Sequence, residues 1–407
     1  MKFTDQSFVP LLLGADINVY SMARAFHEAY GVKTIAYGLY PSGPCYGSAI
    51  IDYRVSENNA SPEKVLENAR HVAAEFPDKT ILLLGCGDDY LTAISANLGK
   101  YPDNVAAPYV PLEQMQTLIH KARFYELCEK YGIDYPKTVV YTKDMGHDFT
   151  LPFDGPFAVK PAESATYWDH PFDTQRKGYI AQTRAEVEQI LDDVYAHGYE
   201  DAMIIQDFIP GGDENMRVLT CYSDGEGKVR LMCLGHVLLE EHTRHGVGNH
   251  AVIITEPNEE LYETFGHFLE EIHFVGFSNF DIKYDPRDGK FKAFEINCRQ
   301  GRSNYYVTGS GHNIARLLVE DLIEGKELPF QMVKNRSLWR MVPKSVAFKF
   351  TPKRYHEEMR ALIRAGADHH SLVYSGDASL KRRLRVFKNH LGNIKRFDQY
   401  NKVPAEE

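Results

Sequence analysis

Residues 279–303, NFDIKYDPRDGKFKAFEINCRQGRS, hold the strongest structural signal in the chain. Two runs in which apolar and polar residues alternate, 280–285 and 290–297, flank a Pro-Arg-Asp-Gly sequence of strong turn formers. The pattern predicts a β-hairpin. Strict alternation along the second strand predicts one shared face for four side chains, Phe291, Ala293, Glu295 and Asn297.

Asp281 lies on the first strand, and the pairing register decides which residue stands opposite it. A regular four-residue turn places Asp281 opposite Phe294, whereas one bulged residue beside the turn places it opposite Glu295. Two carboxylates and the Asn297 amide are hard oxygen ligands, which suit Mg²⁺ held together with substrate phosphates better than Zn²⁺. An ordinary exposed hairpin with polar residues on its wet face is the alternative.

The Glu-Ile-Asn-Cys-Arg order at 295–299, followed by Gln-Gly-Arg-Ser, resembles the metal-binding core of the ATP-grasp superfamily of carboxylate-amine ligases. The resemblance implies ATP as a substrate and two Mg²⁺ ions, or Mn²⁺, on its phosphates. The implied metal ligands are Asp281, Glu295 and Asn297. The implied catalytic residues are Arg299, which faces the transferred phosphoryl group, and Arg302, which helps to steady the oxyanion and the departing phosphate.

Length and composition describe a globular chain of 407 residues, long enough for two or three domains with real cores. Residues 1–17 carry charges around a very short apolar run, and no stretch of about 18 apolar residues follows. We therefore expect a cytoplasmic protein. The 6 cysteines show no C-x-x-C pair and no zinc-type spacing, which favours reduced thiols, and Cys298 is expected to pack rather than to react.

Charge is unevenly distributed, because residues 334–407 hold 17 Lys and Arg against 7 Asp and Glu within a chain of net charge −10. This balance predicts a distinct basic C-terminal extension. Within residues 379–388, Leu380, Leu384 and Phe387 fall at helical spacing with cations between them. We expect this helix to dock on the acidic body, with weak contact to an anionic membrane as the alternative. No nucleic-acid partner is expected.

The first hundred residues alternate strand and helix patterns, with strands at 8–13, 32–37 and 80–84. This βαβ order predicts a Rossmann-like α/β domain, in which ligands bind beyond the carboxyl ends of the strands. Neither loop at those ends reads G-x-G-x-x-G, so a dinucleotide is not expected. The loops supply three candidate substrate-binding residues, Asp16, Asn18 and Asp88. The alternative is that these loops are only tight turns.

Two lysines stand where the resemblance implies contacts with ATP phosphates. Lys121 lies near the start of a predicted helix at 118–131, and Lys160 ends an apolar strand, where a buried ammonium is costly unless an anion meets it. The following loop, 162–178, departs from the family pattern because it lacks a run of glycines. Four of its side chains are candidates to hold phosphate instead: Ser164, Thr166, Arg176 and Lys177.

An apolar strand that runs into Pro-Gly-Gly at 210–212 resembles the hinge that lines the adenine pocket in ATP-grasp enzymes. The resemblance places the hinge at Gln206, Asp207, Phe208 and Ile209, and Asp213 or Glu214 at the ribose. A polar loop at 240–250 is either a solvent-exposed connection or a substrate-side loop. From it, His250 is a candidate substrate contact, and His250 and Glu241 are candidate bases.

Within the superfamily, the chain most resembles the D-aspartate ligases of peptidoglycan cross-bridge synthesis, through segments at 11–26, 121–138, 203–219, 232–240 and 276–303. The resemblance implies a Rossmann-like pre-ATP-grasp domain followed by an ATP-grasp fold of two α+β subdomains. The expected boundaries are 1–117 for the substrate domain, 118–201 and 202–333 for the two subdomains, and 334–407 for the basic extension.

The implied activity joins the β-carboxylate of D-aspartate to a side-chain amine of the peptidoglycan precursor, through an acyl phosphate, with ATP cleaved to ADP and phosphate. Two alternatives stay open. One is an ATP-grasp ligase for another carboxylate and amine, and the other is an idle ATP-binding regulator. A monomer and a dimer are both compatible with the sequence.

Overall fold

The computed structural model describes residues 6–243 and 246–404, which fold around three β-sheets. The mixture of one parallel sheet with two largely antiparallel sheets, each covered by helices, agrees with the predicted α/β class. Within these residues, no helix is both long and apolar enough to cross a bilayer. All 6 cysteines are buried free thiols, as expected.

The first sheet is fully parallel, with the strand order β3-β2-β1-β4-β5. The first helix begins at Ile17, because the Asp16 carboxylate caps it by accepting from the backbone amides of Asn18 and Val19. The elements of this region are β1 Phe8–Leu13, α1 Ile17–Tyr30, β2 Thr34–Gly38, β3 Ile51–Val55, α2 Pro62–Glu75, β4 Thr80–Gly85, α3 Asp88–Ser95 and β5 Val105–Ala106.

The second sheet is antiparallel, with the order β6-β9-β7-β8. The helix predicted at 118–131 is interrupted at His120, whose extended backbone ends one helix and whose ring caps the next, so Lys121 opens a new helix. The elements are α4 Leu112–Ile119, α5 Lys121–Tyr131, β6 Thr138–Tyr141, β7 Phe157–Pro161, α6 Ser164–Trp168, β8 Tyr179–Ala181, α7 Arg184–Ala196 and β9 Met203–Asp207.

The third sheet is the largest, with the order β14-β13-β10-β11-β12-β16-β17 and β15 beside β11. Its strands are β10 Met216–Ser223, β11 Val229–Glu240, β12 His250–Thr255, β13 Gly276–Asp285, β14 Lys290–Asn297, β15 Gln331–Met332, β16 Leu338–Arg340 and β17 Asp368–His370. The helices that follow the second sheet are α8 Glu259–Glu271, α9 Tyr305–Gly309, α10 Ile314–Leu322, α11 Lys344–Phe350, α12 His356–Arg364 and α13 Leu380–Tyr400.

The predicted hairpin is formed by β13 and β14, and it contains a bulge. Asp281 pairs with Glu295, and its neighbour Ile282 pairs with Ala293, so Phe294 is the extra residue. The bulge therefore lies beside Asp281 rather than beside the turn. Since consecutive strand residues point to opposite faces, Ala293 faces the core with Ile282 and does not share the face of Glu295, which corrects the strict alternation.

The basic region 334–407 is part of the folded body, because β16 pairs with β12 and β17 pairs with β16 in the third sheet. This corrects the expectation of a distinct unit. Helix α13 docks on the body, as expected, through a face that buries Arg382, Asn393 and Phe397. The apolar residues Leu380, Leu384 and Phe387 lie on the opposite, exposed face, so they are not what holds the helix.

Candidate active site

A cleft of about 400 Å³ lies where the three sheets meet. Asp88 reaches it from the first region, Ser164 from the second and Asp281 from the third. Eight of the predicted site residues line it together: Asp88, Lys121, His250, Asp281, Glu295, Asn297, Arg299 and Arg302. The fold thus gathers side chains that lie far apart in the sequence.

Asp281 and Glu295 form a carboxylate pair across the bulged hairpin. Lys121 lies with its Nζ 3.2 Å from Glu295 Oε2 and lowers the pKa of that carboxyl. Burial and the Glu295 charge raise the pKa of Asp281 well above its usual value. The Lys121 ammonium therefore favours the ionised form of Glu295, whereas burial beside Glu295 favours the protonated form of Asp281, and a divalent cation bound here would favour the ionised form of both.

The donor set fits Mg²⁺ bound jointly with phosphates. In the described part of the chain, no three His, Cys, Asp or Glu side chains come close enough to form a metal site by themselves. Two carboxylates and the Asn297 amide would therefore need further oxygen ligands, which substrate phosphates supply. Asn279 shares the same strand face and lines the cleft, and sequence reasoning missed it although it precedes Asp281 by two residues.

Lys121 and Lys160 provide the positive charge expected near phosphates. Lys121 also donates to Ser164 Oγ at 3.4 Å, which ties the second sheet to the cleft. Lys160 Nζ lies 5.0 Å from the centre of the Phe294 ring and 5.9 Å from that of Tyr125. Burial and the neighbouring Lys121 ammonium lower the pKa of Lys160 to about 7. An anion placed here would restore its charge.

Arg299 follows β14, the strand that carries Glu295 and Asn297, and connects it to the start of α3. Its Nε and Nη2 donate to the two carboxylate oxygens of Asp88 at 2.8 and 2.9 Å, in a bidentate pair. Arg302 is 40% exposed, and its nearest carboxylate is Asp16, 3.8 Å from Nε. Arg302 is therefore the freer of the two guanidinium groups for an incoming carboxylate.

Asn18 is placed differently from the expectation. It is 2% exposed, and its amide donates to the carbonyl oxygens of Cys86 and Gln300 at 3.3 and 3.2 Å. Its Oδ1 accepts from Asn304 Nδ2 at 2.7 Å. Both ends of the side chain are thus occupied, which corrects the predicted substrate contact to a buried link between the first sheet and the loop after β14.

The predicted hinge is present, but its amides already have partners. The backbone N–H of Asp207 donates to the Lys137 carbonyl at 3.0 Å, and that of Phe208 donates to the Pro156 carbonyl at 3.1 Å. Gln206 is buried and donates from Nε2 to Thr138 Oγ1 at 2.8 Å. These three residues therefore shape the hinge, and purine recognition through the amides of Asp207 and Phe208 is not available in this arrangement.

Lys283 is a second residue that sequence reasoning missed. Its Nζ donates to the hinge carbonyls of Ile209 and Gly211 at 2.9 and 3.2 Å and lies 5.2 Å from the centre of the Phe208 ring. Lys283 follows Asp281 by two residues on β13, so the period-two rule could have placed it on the same face. It connects the hinge to β13, the strand that also carries Asp281.

Asp213 and His250 belong to one polar group at the side of the cleft, of which Glu240 and His250 are buried and Asp213 is half-buried. Asp213 Oδ2 accepts from the Glu240 backbone amide at 2.8 Å, and Asp213 Oδ1 lies 2.9 Å from His242 Nε2. His250 Nε2 lies 3.5 Å from Glu240 Oε1, and His250 Nδ1 lies 3.4 Å from Ser303 Oγ. Burial lowers the pKa of His250 to about 4, whereas burial and Asp213 raise that of Glu240 to about 7.

The four candidate phosphate-binding side chains of the glycine-poor loop, 162–178, lie in different places. Ser164 and Lys177 line the cleft, whereas Arg176 lines a separate cavity and Thr166 does not line the cleft. The loop's aromatic residues supply packing, since Tyr167 is 1% exposed and contacts Phe172 and Trp168 edge to face. Side chains rather than a glycine cradle are therefore available for phosphate.

Comparison with known proteins supports the fold and the family. No family model matches the chain. The chain is 41% identical over 415 residues to the D-aspartate ligase of Enterococcus faecium (strain Aus0004), with 97% of each chain covered.

Two solved structures share the fold at low sequence identity. The L-amino acid ligase of Bacillus licheniformis aligns with a TM-score of 0.54 and 15% identity over 79% of this chain and 75% of that one. The biotin carboxylase domain of the Hydrogenobacter thermophilus 2-oxoglutarate carboxylase, solved with MgADP and bicarbonate, aligns with a TM-score of 0.59 and 16% identity over 82% and 74%. The predicted ATP-grasp fold is confirmed.

Proposed function

Because the chain belongs to the D-aspartate ligase family and is an ATP-dependent ligase, we propose that it joins the β-carboxylate of D-aspartate to a side-chain amine of a peptidoglycan precursor stem peptide. One observation carries the proposal. The Asp281–Glu295 pair, Lys121 and the two arginines Arg299 and Arg302 converge on a single cleft. Such a cleft combines a cation site, phosphate charges and a carboxylate site.

The first step is activation of the carboxylate, which is by itself a poor acylating agent. A β-carboxylate oxygen attacks the γ-phosphorus of ATP, the bond to the β-phosphate oxygen breaks, and ADP leaves with that electron pair. Mg²⁺, two ions by analogy with the family and replaceable by Mn²⁺, would shield the phosphate charges when held by Asp281, Glu295 and Asn297. Lys121 and Lys160 bind the phosphates and keep them aligned.

The carboxylate substrate carries a second carboxylate, on its α-carbon, which needs a cation. Arg302 is half exposed in the cleft and is only loosely held by Asp16. We therefore place the α-carboxylate on Arg302 and the reacting carboxylate beside Arg299. The Arg299 guanidinium, fixed by Asp88, then faces the negative charge that develops as the acyl phosphate is attacked.

The second step requires a proton acceptor, because an amine attacks only when it is deprotonated. The amine nitrogen attacks the acyl carbon, the bond to the phosphate oxygen breaks, and phosphate leaves. We assign the released proton to the Glu240 carboxylate, whose pKa of about 7 suits a base, with His250, which lines the cleft 3.5 Å from Glu240, between it and the amine. Glu241, the other sequence candidate, is instead engaged by Arg396 at 3.4 Å and Thr243 at 2.7 Å.

The pH profile tests this assignment. Since the pKa of Glu240 is about 7, the pair of Glu240 and His250 can accept a proton above that pH. We therefore expect kcat/KM to fall as the pH drops below 7. Glu240→Gln should remove this acidic limb and lower kcat, while the affinity for ATP stays constant. A variant that loses only thermal stability and keeps the wild-type pH profile would make Glu240 structural.

A coupled assay of ADP release tests the function as a whole. The enzyme is offered D-aspartate, L-aspartate and other D- and L-amino acids, each with and without a precursor stem peptide that carries a free side-chain amine. We expect rapid ADP release only with D-aspartate and the peptide together, and amide formation confirmed by mass spectrometry. Arg302→Lys is the matched variant, and it should raise KM for D-aspartate because the planar fork is lost.

The same assay separates the alternatives. Turnover with a different carboxylate would make this an ATP-grasp ligase of another specificity. ATP binding without ADP release under every condition would support a regulator. Synthesis of a precursor in this way would take place in the cytoplasm, where we place the enzyme.

A further inference from the structure

Helix α13 exposes a continuous apolar stripe. Four large apolar residues of this helix follow one another at spacings of four, three and four positions. Their side chains therefore lie on one face of the helix: Leu380, Leu384, Phe387 and Leu391. Each is more than half exposed: Leu380 at 75%, Leu384 at 54%, Phe387 at 58% and Leu391 at 51%. Four large apolar side chains in a row on a surface helix mark an interaction surface.

The orientation of this stripe is fixed by the opposite face of the helix. Arg382 is buried there, 3.3 Å from the Asp377 carboxylate and 4.2 Å from the centre of the Tyr20 ring. Asn393 donates to the Met341 carbonyl at 3.2 Å on the same side. Rotation of the helix to hide the stripe would break these buried contacts, so the stripe is held towards the outside.

Basic side chains border the stripe on both sides. On a helix of 3.6 residues per turn, Lys381, Lys388 and Lys395 follow one edge and Arg383 the other. All four are exposed, and within the described ranges none forms an ion pair with the protein. This arrangement, an apolar strip between cationic edges, is the pattern of a helix that lies in the plane of an anionic lipid surface.

We propose that helix α13 is a docking surface for an anionic lipid bilayer, with its axis parallel to the membrane. Leu384 and Phe387 enter the boundary between headgroups and acyl chains, and the bordering cations meet acidic headgroups. A second copy of the same face would set cationic edges against each other, which disfavours self-association through this stripe.

The position of α13 connects this surface to the cleft. A cavity of about 280 Å³ lies under the helix and is lined by Arg382 and Arg385 from α13 together with Arg302. Arg302 also lines the cleft. The helix therefore stands between the lipid-facing stripe and the side of the cleft that carries Arg302.

Co-sedimentation of the full-length protein with vesicles tests the proposal. Vesicles of phosphatidylcholine with 30 mol% phosphatidylglycerol are compared with phosphatidylcholine alone, at low and high salt. We expect binding only to the anionic vesicles, weakened at high salt because charge contributes. Leu384→Gln with Phe387→Gln should lower the vesicle partition coefficient at least tenfold without changing the thermal unfolding midpoint, since both residues are exposed.

Two controls keep the test decisive. Ile180→Gln with Val55→Gln removes apolar side chains of similar exposure elsewhere, 59% and 51%, and should leave vesicle binding unchanged. Phe387→Trp should add a tryptophan emission that shifts to the blue with anionic vesicles. A protein that stays in solution at low salt, an equal loss in the control, or a concentration-dependent dimer abolished by the stripe variant would overturn the proposal.

Discussion

The buried ammonium of Lys160 predicts a pH-dependent affinity for ATP. Its pKa is about 7 in the free protein, because burial and Lys121 disfavour the charged form. A phosphate oxygen beside it would favour the charged form and return the pKa towards its ordinary value of 10.5. Binding of ATP above pH 7 must then include uptake of a proton by Lys160.

The size of the effect follows from the fraction of Lys160 that is charged before binding. That fraction falls by a factor of about 24 between pH 7.5 and pH 9 for a pKa near 7, and the apparent affinity falls with it. The corresponding loss of binding free energy is about 1.9 kcal/mol at 25 °C. The terminal ATP phosphate, with its last pKa of about 6, is almost fully ionised over this range, so it adds little pH dependence of its own.

Isothermal titration calorimetry with a non-hydrolysable ATP analogue measures both quantities. Dissociation constants are compared at pH 7.5 and 9, and buffers of different ionisation enthalpy report the number of protons taken up. Lys160→Met should bind more weakly at pH 7.5, and its affinity should vary much less with pH. An affinity of the wild type that is constant over this range, or a variant with the same pH slope, would refute the reasoning.

Three further outcomes are expected. Glu295→Gln should lower kcat by about 10²–10³-fold with little change in the unfolding midpoint, since the residue faces the cleft; near-normal ADP release would remove the metal assignment. Asp281→Asn replaces a carboxylate ligand by a neutral amide and should raise the Mg²⁺ concentration needed for half-maximal ADP release by about tenfold or more; an unchanged Mg²⁺ dependence would contradict the assignment of Asp281 as a ligand. Arg382→Met leaves the Asp377 carboxylate buried without its guanidinium and should cost about 3–5 kcal/mol in denaturant unfolding; a loss below about 1 kcal/mol would contradict a buried pair.

The hairpin shows where sequence reasoning reaches its limit. Two registers fitted the alternation of residues 280–297, and they differ in whether Glu295 or Phe294 stands opposite Asp281. Contacts from a distant segment select the bulged register: Tyr125 OH donates to the Phe294 carbonyl at 2.7 Å, and Ala293 N–H donates to that of Asp134 at 2.8 Å.

Which residues become hydrogen-bond partners also depended on the fold. Asn18 and Asp88 lie in loops that looked equivalent in the sequence. Asn18 is buried and donates to backbone carbonyls, whereas Asp88 accepts from Arg299, 211 residues away in the chain. The Pro-Gly turn was enough to locate the hinge at 206–209 in the sequence. It did not predict that neighbouring segments of the chain accept hydrogen bonds from the hinge amides. Such contacts depend on which strands become neighbours, and no local pattern records that.

The sequence by itself determined the α/β class, the strand-turn-strand unit of 279–303, the identity of the carboxylates and the helical stripe at the C-terminus. These features rest on periodicity and turn chemistry, which act over a few residues and are readable in any context. Only the tertiary structure decided that Asp281 faces Glu295, that Lys121 holds one of them ionised, and that the stripe of α13 faces outward. Those outcomes depend on packing between segments more than a hundred residues apart, where burial and charge select one arrangement from several that the local pattern permits.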